Sequence, residues 1–209
     1  MNFLPVAVII TLAFHNGMGA PMDFAEYISQ VLMSQTPDQA FGRLFRQVNL
    51  LQDATCFVGL KGHVLKDDAL SSSSDWDTNH ASDQGRLDNQ QIGHKRGAWS
   101  SKTNAVGQWI MVDLGQVTSV SGIITQGRPS SDQWVRTYKV HCGETQATLA
   151  PIQEAGKDKI FTGNKNQNDR SVQKFGHLHC RYIRIYPQSW YKHMSMRFEV
   201  IKGQCADLY

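Results

Sequence analysis

The residues with the most chemistry in this chain are two His-Cys dipeptides, His141-Cys142 and His179-Cys180. Two thiolates and two imidazoles are a donor set for a tetrahedral structural zinc site. Strand geometry speaks against it, because neighbours in an extended strand point to opposite faces and neither His could turn with its Cys toward one ion. Disulfide chemistry is the better reading of the cysteines. Asp75, Asp77, Asp83 and Asp88 could offer oxygen ligands to calcium, but they lack the order of a calcium-binding loop and read as a solvated acidic segment. The expectation is no metal and no cofactor, with calcium the one ion the sequence leaves open. Eight His and many Ser and Asp invite a search for a catalytic set. There is no Gly-x-Ser-x-Gly, His-Glu-x-x-His or Cys-x-x-Cys and no phosphate-cradling glycine loop, so the chain is not expected to be an enzyme. Two residues suit recognition instead. Trp76, within Ser74-Asp-Trp-Asp-Thr-Asn-His80, could stack on a sugar or enter a lipid surface. Arg128, within Gln126-Gly-Arg-Pro-Ser-Ser-Asp-Gln133, suits a carboxylate, phosphate or sulfate, or a bridge to Asp132.

The elements that must position these residues fall into three parts. Residues 3–14 are an apolar run too short to cross a bilayer, where about 20 residues are needed, and suit a signal peptide although the n-region carries no Lys or Arg. Gly17 and Gly19, two apart, place cleavage after residue 19. A secreted chain without a membrane span follows, and four Cys outside the cell read as two disulfides with three formal pairings. In residues 20–55, Phe24, Ile28, Val31 and Leu32 recur at helical spacing, and Phe41, Leu44, Phe45 and Val48 repeat it. Thr36, Pro37 and Gln39 form a capping box at the break between these two short helices. Their apolar stripe packs on the main domain, packs on another subunit, or leaves as a propeptide.

From Cys56 onward short β-branched and aromatic runs alternate with Gly, Ser, Asn and Asp clusters. Strands are expected at Trp109–Leu114, Val120–Thr125, Val135–Cys142, Lys159–Phe161, Tyr182–Tyr186 and Met196–Ile201. No helix-length run separates them, which excludes a doubly wound nucleotide-binding fold and points to an antiparallel sandwich or barrel. Within Trp109–Leu114, Ile110, Val112 and Leu114 share one face and Trp109, Met111 and Asp113 the other, as in a central strand between two packed layers. With 21 Lys and Arg against 18 Asp and Glu, the net charge of +3 is too small for a nucleic-acid surface.

Ala98-Trp-Ser100, Gln108-Trp-Ile-Met-Val-Asp-Leu-Gly115, Ile124-Thr-Gln-Gly-Arg128, Gln133-Trp-Val-Arg-Thr-Tyr-Lys-Val140, Phe161-Thr-Gly-Asn164, Arg181-Tyr-Ile-Arg-Ile185, Pro187-Gln-Ser-Trp190 and Met194-Ser-Met-Arg-Phe-Glu-Val200, read in order, resemble a discoidin domain, the type also found at the C-terminal end of coagulation factors V and VIII. The resemblance spans residues 56–205, leaving 206–209 as a tail. It implies an all-β, jelly-roll-like sandwich of about eight strands with disulfide-tied termini, hence Cys56–Cys205. Cys142–Cys180, which remains, is not a general feature of the family. It also implies ligand-binding loops at one end, carrying Asp75, Trp76, Asp77 and His80 in the first and Arg128 and Asp132 in the second.

Relatives that bind phosphatidylserine bilayers present several apolar loop tips, whereas these two loops offer only Trp76. The expected ligand is therefore a cell-surface or matrix glycan or glycoprotein, in the service of adhesion or aggregation. An anionic phospholipid surface, or collagen or a protein receptor, is the alternative. A lone domain bridges two surfaces only if multivalent, so self-association through the helical prefix is expected.

Overall fold

The computed structural model describes residues 55–205. The expected signal peptide, the two prefix helices and the tail lie outside the described residues.

Two long bent strands organise the domain. Strand β3 (Ile110–Gln126) and strand β9 (Ser171–Tyr191) run antiparallel, and their ladder breaks between Asp113 and Thr118. At the break Gly115 holds φ 78°, a conformation glycine adopts without a Cβ clash, and its N–H bonds the Asp113 carboxylate at 2.8 Å. Such irregularities bend a strand, so each strand serves two layers. The first half of β3 pairs with β1 (Leu70–Ser72) and with the second half of β9, which also carries β4 (Trp134–Gly143). The second half of β3 pairs with β10 (Ser195–Lys202) and with the first half of β9, and β2 (Trp99–Ser100) follows beyond β10. Strands β5 (Ala150–Pro151) and β8 (Phe161–Thr162) flank β4, while β6 (Gln153–Glu154) and β7 (Lys157–Asp158) form a separate hairpin. The result is an antiparallel, eight-stranded, all-β sheet folded on itself.

Alternation places Ile110, Val112, Ile123, Ile183 and Ile185 inside with Trp99 and Phe198, all fully buried. β-Branched side chains fit such a pleated surface, and burying each contributes about 1.5–3 kcal/mol. The other face of β3 departs from the expected second packed layer. Met111 is buried there, but beneath the Arg184 guanidinium, whose nitrogens lie 3.3 and 3.4 Å from its sulfur and whose plane covers Trp109 at 4.2 Å. Asp113 on the same face pairs with Arg181 at 2.8 Å. An arginine stem can cover apolar surface while its head stays wet, which is why this face looked like core.

The disulfides close Cys56 to Cys205, with Cα atoms 5.4 Å apart, and Cys142 to Cys180, at 5.5 Å. Val58 N–H donates to the Val200 carbonyl beside the first bond, so the two ends of the domain lie together. With their sulfurs bonded to each other, Cys142 and Cys180 are not thiolate ligands for zinc. Among the described residues no group of three or more His, Cys, Asp or Glu is arranged to hold a metal ion.

Candidate functional site

The register gathers five loops at one end of the sandwich. Trp134 pairs with Tyr191, Arg197 with Gln126, Ser195 with Ser100, and Thr125 with Ser171. Segments 73–98, 101–109, 127–133, 163–170 and 192–194 therefore leave the strands together. Beneath them Arg197 is buried and donates from all three guanidinium nitrogens to main-chain carbonyls: Nε to Gly127 at 2.7 Å, Nη1 to Asn89 at 2.7 Å and Nη2 to Gln167 at 2.8 Å. Burial lowers its pKa to about 10, so it stays protonated at neutral pH. One rigid, planar fork thus ties three loops to β10. Gly127 is required where they meet, since a Cβ would lie 2.7 Å from the Gln133 carbonyl and 2.8 Å from the Gln167 Cα. Non-glycine residues hold left-handed backbone at Asp88 (φ 61°), Ser130 (φ 59°) and Lys192 (φ 56°), all in this loop cluster. Strain of this kind gathers where a surface is shaped for binding.

Trp76 stands at the rim, 56% exposed. Its main-chain N–H donates to the Ser100 carbonyl at 2.8 Å, and its ring meets His193 edge to face, with centroids 5.3 Å apart and planes at 83°. His193 is itself fixed: Asn104 Nδ2 donates to its Nδ1 at 3.1 Å, and its Nε2 donates to the Ser101 carbonyl at 2.9 Å. The indole is thus braced on one edge by a hydrogen-bonded histidine and anchored through its backbone, with the rest of its ring exposed.

The remaining predicted residues divide. Asp75 turns inward, accepting from Ser72 at 2.6 Å and Trp99 Nε1 at 3.1 Å. Asp77 accepts from His80 Nδ1 at 2.6 Å and from Asn79 N–H at 2.8 Å, and the His80 bond holds its carboxyl below the usual range. His80 is buried, which pulls its pKa down against the Asp77 bond, and the charges of Arg128 and Arg96 push the same way, so the ring is neutral at pH 7. Asp75 and His80 are thus scaffold, while Trp76, Asp77, Arg128 and Asp132 reach the accessible end. Asp132 pairs with Lys192 at 3.1 Å and not with Arg128, which donates to Gln133 Oε1 at 2.9 Å. The four aspartates suggested for calcium do not converge: Asp83 bonds Gln84 and Asp88 bonds Arg170.

Several residues here escaped sequence reasoning. His193, Asn104 and Lys192 come from segments with no motif chemistry. Ile92 and Val106 are 74% and 64% exposed on loops of the same cluster, joined by Ser130–Gln91 and Asn104–Lys192 hydrogen bonds. The signal that could have found them is an apolar residue inside a polar run with neither strand nor helix period.

A sequence model of the F5/8 type C domain matches residues 69–200. The chain belongs to this family. Lactadherin of Mus musculus is 33% identical over 153 residues, covering 69% of this chain and 32% of lactadherin. Neuropilin-1 of Homo sapiens is 31% identical over 168 residues, covering 77% of this chain and 18% of neuropilin-1. Among solved structures, discoidin II of Dictyostelium discoideum superposes with a TM-score of 0.59 at 26% identity, covering 64% of this chain and 54% of discoidin II. This F5/8 type C chain therefore spans about a third or less of the curated relatives it matches, and the shared part is the sandwich with its loops.

Proposed function

We propose that residues 56–205 are a non-catalytic extracellular recognition domain whose loop end binds carbohydrate on a cell or matrix surface, supporting adhesion. The carrying observation is Trp76, an exposed indole whose ring packs edge to face on His193 and whose main-chain N–H is held by the Ser100 carbonyl, among polar side chains. A sugar ring offers C–H bonds to an aromatic face and hydroxyls to groups around it, and prior rigidity reduces the entropy lost on binding. Both disulfides fit an oxidising compartment, in keeping with a cleaved leader over residues 1–19. Self-association through residues 20–55 would supply the multivalency adhesion needs.

Trp76→Ala is expected to weaken glycan binding at least about tenfold on a glycan array, while thermal stability moves by less than about 1 kcal/mol because the ring is half exposed. Unchanged array signals would remove the Trp76 corner from the site.

Ile92 and Val106 favour a second reading, an anionic lipid surface. Full burial of three loop side chains would supply about 1.5–3 kcal/mol each, enough to offset a low-end association cost of ~4 kcal/mol. Trp76→Ala affects both readings. Ile92→Ser with Val106→Ser weakens only liposome sedimentation, so the pair of variants separates them.

A further inference from the structure

We propose that the sugar recognised at the loop end carries an anionic group, and that Arg96 and Arg128 bind that group beside Trp76. This rests on the carbohydrate reading and sharpens it from sugar in general to acidic sugar.

The argument is an imbalance among charges. Each carboxylate of these loops is engaged: Asp75 with Ser72 and Trp99, Asp77 with His80, Asp83 with Gln84, Asp88 with Arg170, Asp132 with Lys192, and Asp169 with Asn166. The two arginines have no such match. Among the described residues neither Arg96 nor Arg128 forms an ion pair, and the Arg96 side chain makes no hydrogen bond. Arg128 is half-buried, gives one bond to the neutral amide of Gln133, and its Nε is closed off from solvent with no acceptor. Buried N–H groups rarely lack a partner, and although the Asp77 charge acts favourably on Arg128, among the described residues no carboxylate is in ion-pair contact with its guanidinium.

The loops that carry the two cations are tied together, since Ser130 Oγ donates to Gln91 Oε1 at 2.8 Å. In keeping with this, the charges of both arginines lower the His80 pKa, and after burial the Arg96 charge lowers that of Arg128. Their backbones are pinned, Arg96 N–H to the Asn79 carbonyl at 3.0 Å and Arg128 N–H to the Gln133 carbonyl at 2.9 Å. Gln133 Oε1 also accepts from Ser195 Oγ at 3.1 Å, which fixes the amide that aims the Arg128 fork. A carboxylate or sulfate has the oxygen spacing that a guanidinium fork recognises. An acidic sugar would present such an oxyanion to the arginines and its ring to the indole, whose loop also contains His80.

The test uses the whole chain and pairs of glycans that differ only in the acidic group, intact against carboxyl-reduced or desulfated, with anionic liposomes in parallel. Acidic members should bind at least about tenfold tighter than their neutral partners, and this ratio should collapse in Arg128→Gln and in Arg96→Gln. Raising salt from roughly 50 to 500 mM should weaken only the acidic members. A melting curve on each variant checks folding, and if Arg128→Gln unfolds, Arg96→Gln and the wild-type glycan pairs decide. Equal binding of acidic and neutral members overturns the inference and leaves the carbohydrate reading standing. Absence of glycan binding overturns both, and arginine-dependent capture of liposomes in that case assigns the cluster to a lipid headgroup.

Discussion

Arg197→Met is expected to destabilise the domain by about 3 to 5 kcal/mol and lower its melting temperature by about 10 °C, although Arg197 has almost no exposed surface. Methionine fills much of the same volume but leaves the carbonyls of Asn89, Gly127 and Gln167 without their donors. Each is a main-chain acceptor in a loop, and a buried polar group left unpaired costs about 1–3 kcal/mol. Part of this loss is recovered because an uncompensated buried cation is removed, which keeps the total below the sum of three bonds. Arg197→Lys should recover little, since an ammonium group cannot serve three carbonyls with the spacing of a planar fork. Denaturant unfolding gives the free energy, and a loss under about 1 kcal/mol would mean that the loops hold each other without the arginine. The three loops also carry Arg128 and Ile92, so binding in this variant should fail at temperatures where the sheets are still folded.

The strands that sequence reasoning found are those whose side chains alternate without help from distant residues. Met196–Ile201 lies inside β10, Val135–Cys142 inside β4, and Trp109–Leu114 with Val120–Thr125 are the two halves of β3. Their union was hidden because Gly115, Gln116, Thr118 and Ser119 interrupt the apolar pattern, whereas the chain bends there and continues. The first half of β9, Ser171–Cys180, was missed. Gln173, Lys174, Gly176, His177 and His179 give it no apolar run, and it is a strand because β3 offers it a ladder from Thr118 to Thr125. Lys159–Phe161 shrank to β8 at Phe161–Thr162 for the opposite reason, since only Phe161 of that run enters the core.

In the candidate site, Trp76 was legible as an aromatic stranded among polar residues. The partner of Trp76 was not, because His193 is 117 positions away and arrives only when Ser195 pairs with Ser100. Asp75 and His80 belong to the first ligand loop that the resemblance implies, yet a loop can point its side chains inward or outward, and backbone geometry decides which.

Glu199 carries a pH dependence that sequence offers no hint of. It sits on β10 with no exposed surface, accepting from Lys61 N–H at 2.7 Å and from Val200 N–H at 3.0 Å. Burial pushes its pKa from 4.5 up to about 7, against the pull of the backbone donors from residues 59–61. Between these two values the folded state holds a proton that the unfolded state has released, so raising pH favours unfolding. Stability should fall by about 1.4 kcal/mol per pH unit across that window, roughly 3 kcal/mol in all, and level off above pH 7. The carboxyls of Asp77, Asp88 and Asp113 act in the opposite sense. Their bonds to His80, Arg170 and Arg181 hold them below the usual range, so their contribution is lost as pH drops beneath about 4. Below about pH 6.5 the buried His80 and His141, whose pKa values burial lowers, act against Glu199, so its effect is read from a variant and not from the position of the stability maximum. Glu199→Gln keeps the shape and one acceptor but has no proton to lose, so it should be less stable than the wild type at pH 5 and draw level with it or pass it at pH 8. The quantity to measure is the stability difference between the two proteins by urea unfolding at several pH values. A difference that stays constant from pH 4.5 to 8 would mean that Glu199 is ionised throughout, held by its backbone donors strongly enough to offset its burial.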